Sequence, residues 1–121
     1  MNNFSTRKVG AEAEERACWF LSELGYQILK RNWQIRGGEL DIVAQKDGVL
    51  VFIEVKARYS HEFGLPIESI TYSKTRFLRR SAQIYMHQYH LEKMQSRFDL
   101  VCIDYVLGNP KIELIENIIE G

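Results

Sequence analysis

The chain has little with which to hold a metal through sulfur, cross a membrane or attract polyanions wholesale. Two cysteines occur in 121 residues. Cys18 falls in a helical pattern and Cys102 in a strand pattern, far apart and in no metal-ligand spacing, so both are expected to be buried thiols. The longest apolar run, Val49 to Ile53, is far too short to span a bilayer. The opening Met-Asn-Asn-Phe-Ser-Thr-Arg-Lys lacks the apolar segment of a signal peptide, and a cytoplasmic location is expected. Neither a Gly-rich phosphate loop nor a nucleophile elbow is present. No segment is low in complexity, and 45% of residues are hydrophobic. That is enough for one core, in a chain too short for two domains, so residues 1–121 are read as a single unit.

Excess charge of either sign is also missing. Sixteen basic residues balance sixteen acidic ones, which argues against a general polyanion binder. The distribution is uneven, however. Between Lys56 and Arg80 stand six basic residues (Lys56, Arg58, Lys74, Arg76, Arg79, Arg80) against Glu62 and Glu68, whereas from Phe98 to Gly121 five acidic residues face Lys111 alone. A local basic patch of this kind attracts phosphates even when the total is neutral.

Periodicity divides the chain into a helix, three strands, a second helix and two more strands. Val9 to Leu24 has helical spacing, with Ser5 or Thr6 as N-cap, Gly25 as C-terminal stop, and an apolar stripe through Gly10, Ala17, Cys18, Leu21 and Leu24. Glu14 lies in that stripe and needs a partner there: a buried salt bridge or a rim position where the carboxylate reaches water, or else a bound metal or substrate. Tyr26 to Trp33 is a strand, Gly37-Gly38 a flexible approach to a hairpin, and Ala57 to Pro66 a loop. Ile70 to about His90 is the second helix. Its Arg76, Arg79 and Arg80 share one face, suited to nucleic-acid phosphates, with a solvated face as the plain alternative. Lys74 falls on the apolar side, either to reach an anion near the helix start or to snorkel to water. Arg97 to Leu107 and Lys111 to Ile119 read as two strands around Gly108-Asn109-Pro110. His87 and His90 have no third ligand nearby and read as surface histidines.

The hairpin carries the chemistry. Gly38 to Lys56 reads as two alternating strands around Asp47-Gly48, a pair that favours a two-residue loop. Cross-strand partners then have numbers summing to 95. One face carries Val43 against Phe52, Asp41 against Glu54 and Glu39 against Lys56; the other carries Leu40, Ile42, Ala44, Val51, Ile53 and Val55. Directly opposed side chains stand about 4.5 to 5.5 Å apart at Cβ, and like charges there are destabilising. At an effective dielectric near 20, two carboxylates about 4 Å apart repel by about 4 kcal/mol. A divalent cation offsets that repulsion. Hard oxygen donors suit Mg²⁺, which takes one or two protein carboxylates and fills its shell with water and phosphate. The alternative is a solvated sheet face of alternating acids and lysine.

An Asp on one strand followed by Glu-x-Lys on the next resembles the PD-(D/E)XK nuclease superfamily. The wider pattern is similar to its YraN-type bacterial branch over nearly the whole chain: Gly10-x-x-Ala-Glu14-x-x-Ala17, Leu21, Gly25-Tyr26, Arg31-Asn32, Gly38-Glu39-Leu-Asp41, Val51-Phe-Ile-Glu54-Val-Lys56-Ala-Arg58, Phe63-Gly64-x-Pro66, Lys74 and Arg97-Phe98-Asp99. Two departures stand out: Leu40 occupies the place of the superfamily's proline, and Ala13 that of a glycine. The resemblance implies an α/β, restriction-endonuclease-like core, a mixed β-sheet flanked by helices in the order α-β-β-β-α-β-β. It implies Mg²⁺- or Mn²⁺-dependent cleavage of DNA phosphodiesters, with branched or damaged DNA as substrate. Asp41 and Glu54 would be metal ligands, Glu14 would complete the shell, and Lys56 would position or activate the attacking water. Glu39 would hold the Lys56 ammonium or add a further ligand. Arg58, Lys74, Arg76, Arg79 and Arg80 are the candidate DNA contacts. The nearest members resemble Holliday-junction resolvases, which act as dimers, so the resemblance also implies a homodimer, although no dimer surface is legible in the sequence. A catalytically silent nucleic-acid-binding module of the same fold is the competing expectation.

Overall fold

The computed structural model of the chain describes residues 3–62 and 64–119. Phe63, part of the Phe63-Gly64-x-Pro66 match, lies outside the described residues. Helix α1 (Asn3–Glu23) leads into strands β1 (Gln27–Ile35), β2 (Gly38–Lys46) and β3 (Val49–Arg58). A short 3-10 turn (Pro66–Ser69) precedes helix α2 (Tyr72–Gln88), and β4 (Ser96–Asp104) and β5 (Lys111–Ile115) complete the chain. The five strands form one sheet in the order β1-β2-β3-β4-β5, antiparallel throughout except for β3 and β4, which run parallel with α2 between them in sequence. This is the α/β mixed sheet in α-β-β-β-α-β-β order that the sequence implies. Among the described residues, no helix is long and apolar enough to cross a membrane.

The boundaries differ in instructive ways. Helix α1 begins at Asn3, so Ser5 and Thr6 lie within it rather than capping it. Leu24, placed on the buried stripe, is 42% exposed, and Ala13 takes its place beside Ala17, Cys18 and Leu21. Strand β3 runs into the expected loop as far as Arg58 because β4 continues to pair with it. Strand β5 stops at Ile115 instead of Ile119; Asn117 there has φ 58° and its N–H turns to the Asp99 carboxylate at 2.9 Å.

The hairpin closes as its residues require. Asp47 and Gly48 have φ of 51° and 77°, the left-handed pair of a type I′ turn, which costs glycine nothing and aspartate little. The rungs from Lys46↔Val49 to Ile42↔Ile53 all sum to 95. Alternation along β3 sends Val51 and Ile53 to the α1 side, where they pack with Ala17, Leu21, Val101 and Ile103. Leu50 and Phe52 go to the α2 side with Leu78, Ala82 and Tyr85. Each helix covers one face of the sheet. Gly38 allows α2 close approach: a Cβ there would lie 3.3 Å from Ser81 Oγ, the fully buried hydroxyl that accepts the Glu39 N–H at 3.0 Å.

Both cysteines are buried and unpaired, as expected. Asp99 is buried as well, accepting from Tyr26 Oη at 3.2 Å and Arg97 Nε at 3.1 Å, so the Arg97-Phe98-Asp99 match includes a part-buried ion pair on β4 that also holds Tyr26.

Candidate metal and phosphate site

In the middle of β1, Asn32 adopts φ 49°, a left-handed conformation that asparagine tolerates better than most residues. A regular strand sends residues two apart to the same side. Here Arg31 turns to α1, its guanidinium 2.9 Å from Glu15 and 3.8 Å from Glu14, while Trp33 packs in the core under α2. Strand β2 makes the same switch opposite: Ile42, paired with Arg31, belongs to the α1-side core, and Leu40, paired with Trp33, to the α2-side core. The expectation that Leu40, Ile42 and Ala44 share one face is therefore corrected. Asp41 and Asn32 are the residues at which the two strands change sides.

That switch ends the hairpin ladder. Beyond Ile42↔Ile53 the strands part, and the N–H of Val55 is satisfied by Asp41 Oδ2 at 2.9 Å. Asp41 consequently sits in a notch between β2 and β3. On the α2 side of the notch it meets Glu54, whose side chain is only 15% exposed and whose outer oxygen is 3.3 Å from Lys74 Nζ. On the α1 side it shares a small cavity with Glu14, Glu39 and Asn32. The acids approach from both faces of the sheet, with Asp41 between them.

The electrostatics follow from this placement. Burial first, then the charge of Asp41 and a hydrogen bond with it, push Glu54 from its ordinary 4.5 up to about 8, against the pull of Lys74. Burial and a neighbouring carboxylate both favour the neutral acid, and Lys74, still open to water, is only a partly screened counterweight. Glu14 is raised too, by burial and then by Asp41, with Arg31 opposing. The expected choice between an ion pair and other duty for Glu14 is thus answered in part by Arg31.

The remaining sequence-selected residues divide. Lys74 lies on the inward side of α2 with its side chain 39% exposed; it pairs with Glu54 at 3.3 Å and lies 5.8 Å from the Phe77 ring centre. Lys56 is exposed and lines a cavity with Arg58 beneath the loop after β3, whereas Glu39 lines the acid cavity, so the expected Glu39–Lys56 pairing is not made. Arg76 and Arg80 share one hollow on the outer side of α2. Arg79 does not join them: it lines a separate groove with Arg97 and Asn117, since a residue three beyond Arg76 and one before Arg80 turns toward the β4 end. His87 is exposed and 3.2 Å from Glu92.

Two features escape a reading of the sequence. The pairing of Lys74 with Glu54 depends on how α2 lies on the sheet, which no local pattern encodes. Asn32 carries one usable signal, an asparagine inside a strand pattern, a residue type enriched at positive φ. As a donor set the acids are hard oxygens, matched to Mg²⁺ or Mn²⁺ and unsuited to soft metals. Asp41 has one oxygen engaged by the Val55 N–H, and Glu54 stands within hydrogen-bond reach of it; a two-carboxylate site fits. Among the described residues, no three His, Cys, Asp or Glu side chains are already gathered as a metal-binding group.

A model of the uncharacterised protein family UPF0102 matches residues 13–103, the span that contains Glu14, Asp41, Glu54, Lys56 and Lys74. The UPF0102 protein CPE1705 of Clostridium perfringens is 40% identical over 108 residues, covering 89% of this chain and 88% of that protein. Similar relatives are UPF0102 proteins of Caldicellulosiruptor saccharolyticus, 40% identical over 113 residues with 92% and 96% covered, and of Carboxydothermus hydrogenoformans, 44% identical over 98 residues with 81% and 83% covered. Family match and relatives alike extend over most of the sheet and both sides of the notch, and the chain belongs to the UPF0102 family.

Proposed function

We propose that this chain is a Mg²⁺- or Mn²⁺-dependent endonuclease that hydrolyses DNA phosphodiesters, with branched or damaged DNA as its substrate class. One observation carries the reading: a half-buried carboxylate pair, Asp41 and Glu54, kept at the parting of two strands even though burial first, and Asp41 second, drive Glu54 up to about 8. A protein that only gripped phosphate would gain nothing from opposed acids that repel it. Asp41 and Glu54 are the proposed ligands, with Glu14 and Glu39 as the nearest further acids. A bound divalent cation would polarise the scissile phosphate and acidify an attacking water.

The chain's own residues supply the rest. Lys56, exposed just past Glu54, stabilises charge growing on the phosphoryl oxygens or positions the water. Lys74 holds Glu54 in the metal-free chain; with a divalent cation on Glu54, its ammonium would be available to the phosphate. Arg58, Arg76 and Arg80 provide backbone contacts, with Arg79 reaching a different part of the surface. The pairing of Glu54 with Lys74 also favours a second reading, a DNA-binding module in which the lysine permanently neutralises the acid and no turnover follows.

Calorimetric titration with Mg²⁺ and Mn²⁺, followed by cleavage of single-stranded, duplex, flap and junction DNA, separates them. The nuclease reading expects metal binding lost in Asp41→Ala, and nicking lost in Lys56→Ala with metal affinity retained. Absence of metal binding in the unmodified protein would remove it; metal-independent DNA binding with no cleavage of any substrate would install the second.

A further inference from the structure

The parallel register of β3 and β4 pairs each residue with the one 46 positions later, from Leu50↔Ser96 to Arg58↔Asp104. The Tyr105 N–H continues the ladder by one step, donating to the Arg58 carbonyl at 2.9 Å. The next pair in that register is Tyr59 with Tyr105. Their rings stack with centroids 5.1 Å apart and planes 7° from parallel. Tyr105 packs against the α1-side core, yet Tyr59 is 57% exposed. One of its faces is covered by Tyr105, so that exposure belongs to the other face and the ring edge. It is a flat aromatic surface, fixed from behind and open in front.

The location gives this surface its use. Val55 and Ala57 share one side of β3, and Tyr59 is the first residue past its end. Val55 and Ala57 line the acid cavity, and Tyr59 is two residues, or about 7 Å, farther along. Ala57 and Tyr59 also line the neighbouring cavity, of about 470 Å³, which falls in the range of small-molecule sites. Lys56 and Arg58 contribute cations to that cavity against one acid, Glu68, and the Arg58 guanidinium donates to the Gly64 carbonyl, fastening the loop that forms its wall. A nucleic-acid chain crossing Asp41 must place its neighbouring nucleotide near this ring.

We infer that Tyr59, backed by Tyr105, is a stacking platform for an unpaired nucleobase next to the phosphate held at Asp41 and Glu54, and that the chain therefore selects DNA with a single-stranded nucleotide at this point. The inference rests on the proposed function for the identity of the ligand, but its own observation is the ring pair. Duplex DNA keeps its bases stacked on one another and cannot offer a free face. Single strands, flaps and junction centres can, and stacking on aromatic side chains is how sequence-tolerant proteins hold them.

The test uses the full chain with Ca²⁺ in place of Mg²⁺ and short oligonucleotides carrying the fluorescent base 2-aminopurine at successive positions, single-stranded or in duplex. Stacking quenches the label at one or two adjacent positions of the single strand. Tyr59→Leu removes the quenching and weakens single-strand binding about 5- to 150-fold, Tyr59→Phe keeps both, and duplex binding is unchanged in either variant. Unaltered quenching and single-strand affinity in Tyr59→Leu, or equal losses on single strand and duplex, would overturn the platform. If Tyr59→Leu prevents folding, loss of quenching on nitrating Tyr59 in the folded protein, with the Tyr59→Phe variant as the unreactive control, reads the same contact. Quenching without cleavage by any metal would retain the platform and defeat the nuclease; cleavage with no single-strand preference would do the reverse, and no nucleic-acid binding at all would end both.

Discussion

The Val55 N–H donates to Asp41 Oδ2 at 2.9 Å, so the aspartate side chain completes a backbone ladder that the parting of β2 and β3 leaves open. Asp41 is thereby fixed by the same hydrogen bond that stabilises the sheet, and structure and chemistry can be separated by choice of substitution. Asp41→Asn preserves an acceptor for Val55 and should unfold within about 1 kcal/mol of the parent, whereas Asp41→Ala leaves a half-buried N–H unpaired and should lose about 1–3 kcal/mol. Urea titration measures both. Divalent-metal binding should be lost in Ala and sharply reduced in Asn; equal stability of the two would show that the Val55 hydrogen bond contributes nothing.

Glu54 makes stability fall as pH rises. Its folded value, about 8, lies above its ordinary 4.5, so between those limits the folded chain holds a proton that the unfolded chain has released, and unfolding becomes easier with increasing pH across that window. Glu54→Gln should flatten this part of the profile and stabilise the metal-free chain at about pH 8 by roughly 1–2 kcal/mol, a rise of several degrees in Tm. The stabilisation conferred by Mg²⁺ should grow over the same window, because the cation requires the deprotonated acid. Thermal melts from pH 5 to 9 with and without Mg²⁺ decide it, and a wild-type profile parallel to that of Glu54→Gln would refute the assignment.

Asn32 tests the change of strand face. At φ 49° a β-branched side chain is strained, so Asn32→Val should cost about 1–2 kcal/mol and disturb the acid notch, while Asn32→Gly, which adopts this φ freely, should leave the fold and metal affinity close to those of the parent. The comparison is made by denaturation and by the Mg²⁺ titration on both variants. Matching losses in the two would assign the role to the carboxamide instead of the backbone.

The arginines of α2 should separate by face. Replacing Arg76 and Arg80 by Gln should reduce the slope of log affinity against log salt by about 2 units, one for each phosphate that is no longer neutralised, and Arg79→Gln should leave it almost unchanged. Anisotropy titrations of labelled DNA at several salt concentrations provide the slopes. A larger effect from Arg79 would move the DNA toward the β4 end.

Much of the site is legible in the sequence. Asp47-Gly48 allows only a tight turn of left-handed residues, so the rung sum of 95 follows from two residue types as far as Ile42↔Ile53; the expected Asp41–Glu54 rung is not formed, because the strands have already parted there. Alternation along β3 likewise sends Phe52 and Glu54 toward α2. Regular alternation fails past Ile42. It would pair Glu39 with Lys56 and put Leu40 on the wrong face, because a single left-handed residue on the neighbouring strand β1 reverses the alternation and nothing within the hairpin's own pattern signals it. Helical spacing groups Arg79 with Arg76 and Arg80, yet a helix face as wide as that trio spans is divided in two by the strand packed beneath it.

The sequence by itself determined the local matters: where helices and strands fall to within a few residues, the hairpin register as far as Ile42, and the burial of both thiols. Each of these depends on neighbours a few positions apart, through turn geometry or side-chain periodicity. Only the tertiary structure decided that Lys74 meets Glu54, that Glu14 approaches Asp41 from the opposite face, and that Tyr59 stacks on Tyr105. Those contacts join residues 20, 27 and 46 positions apart, and they are set by how two helices pack on the sheet and how two parallel strands align, choices made by burial over the whole core and written in no single segment.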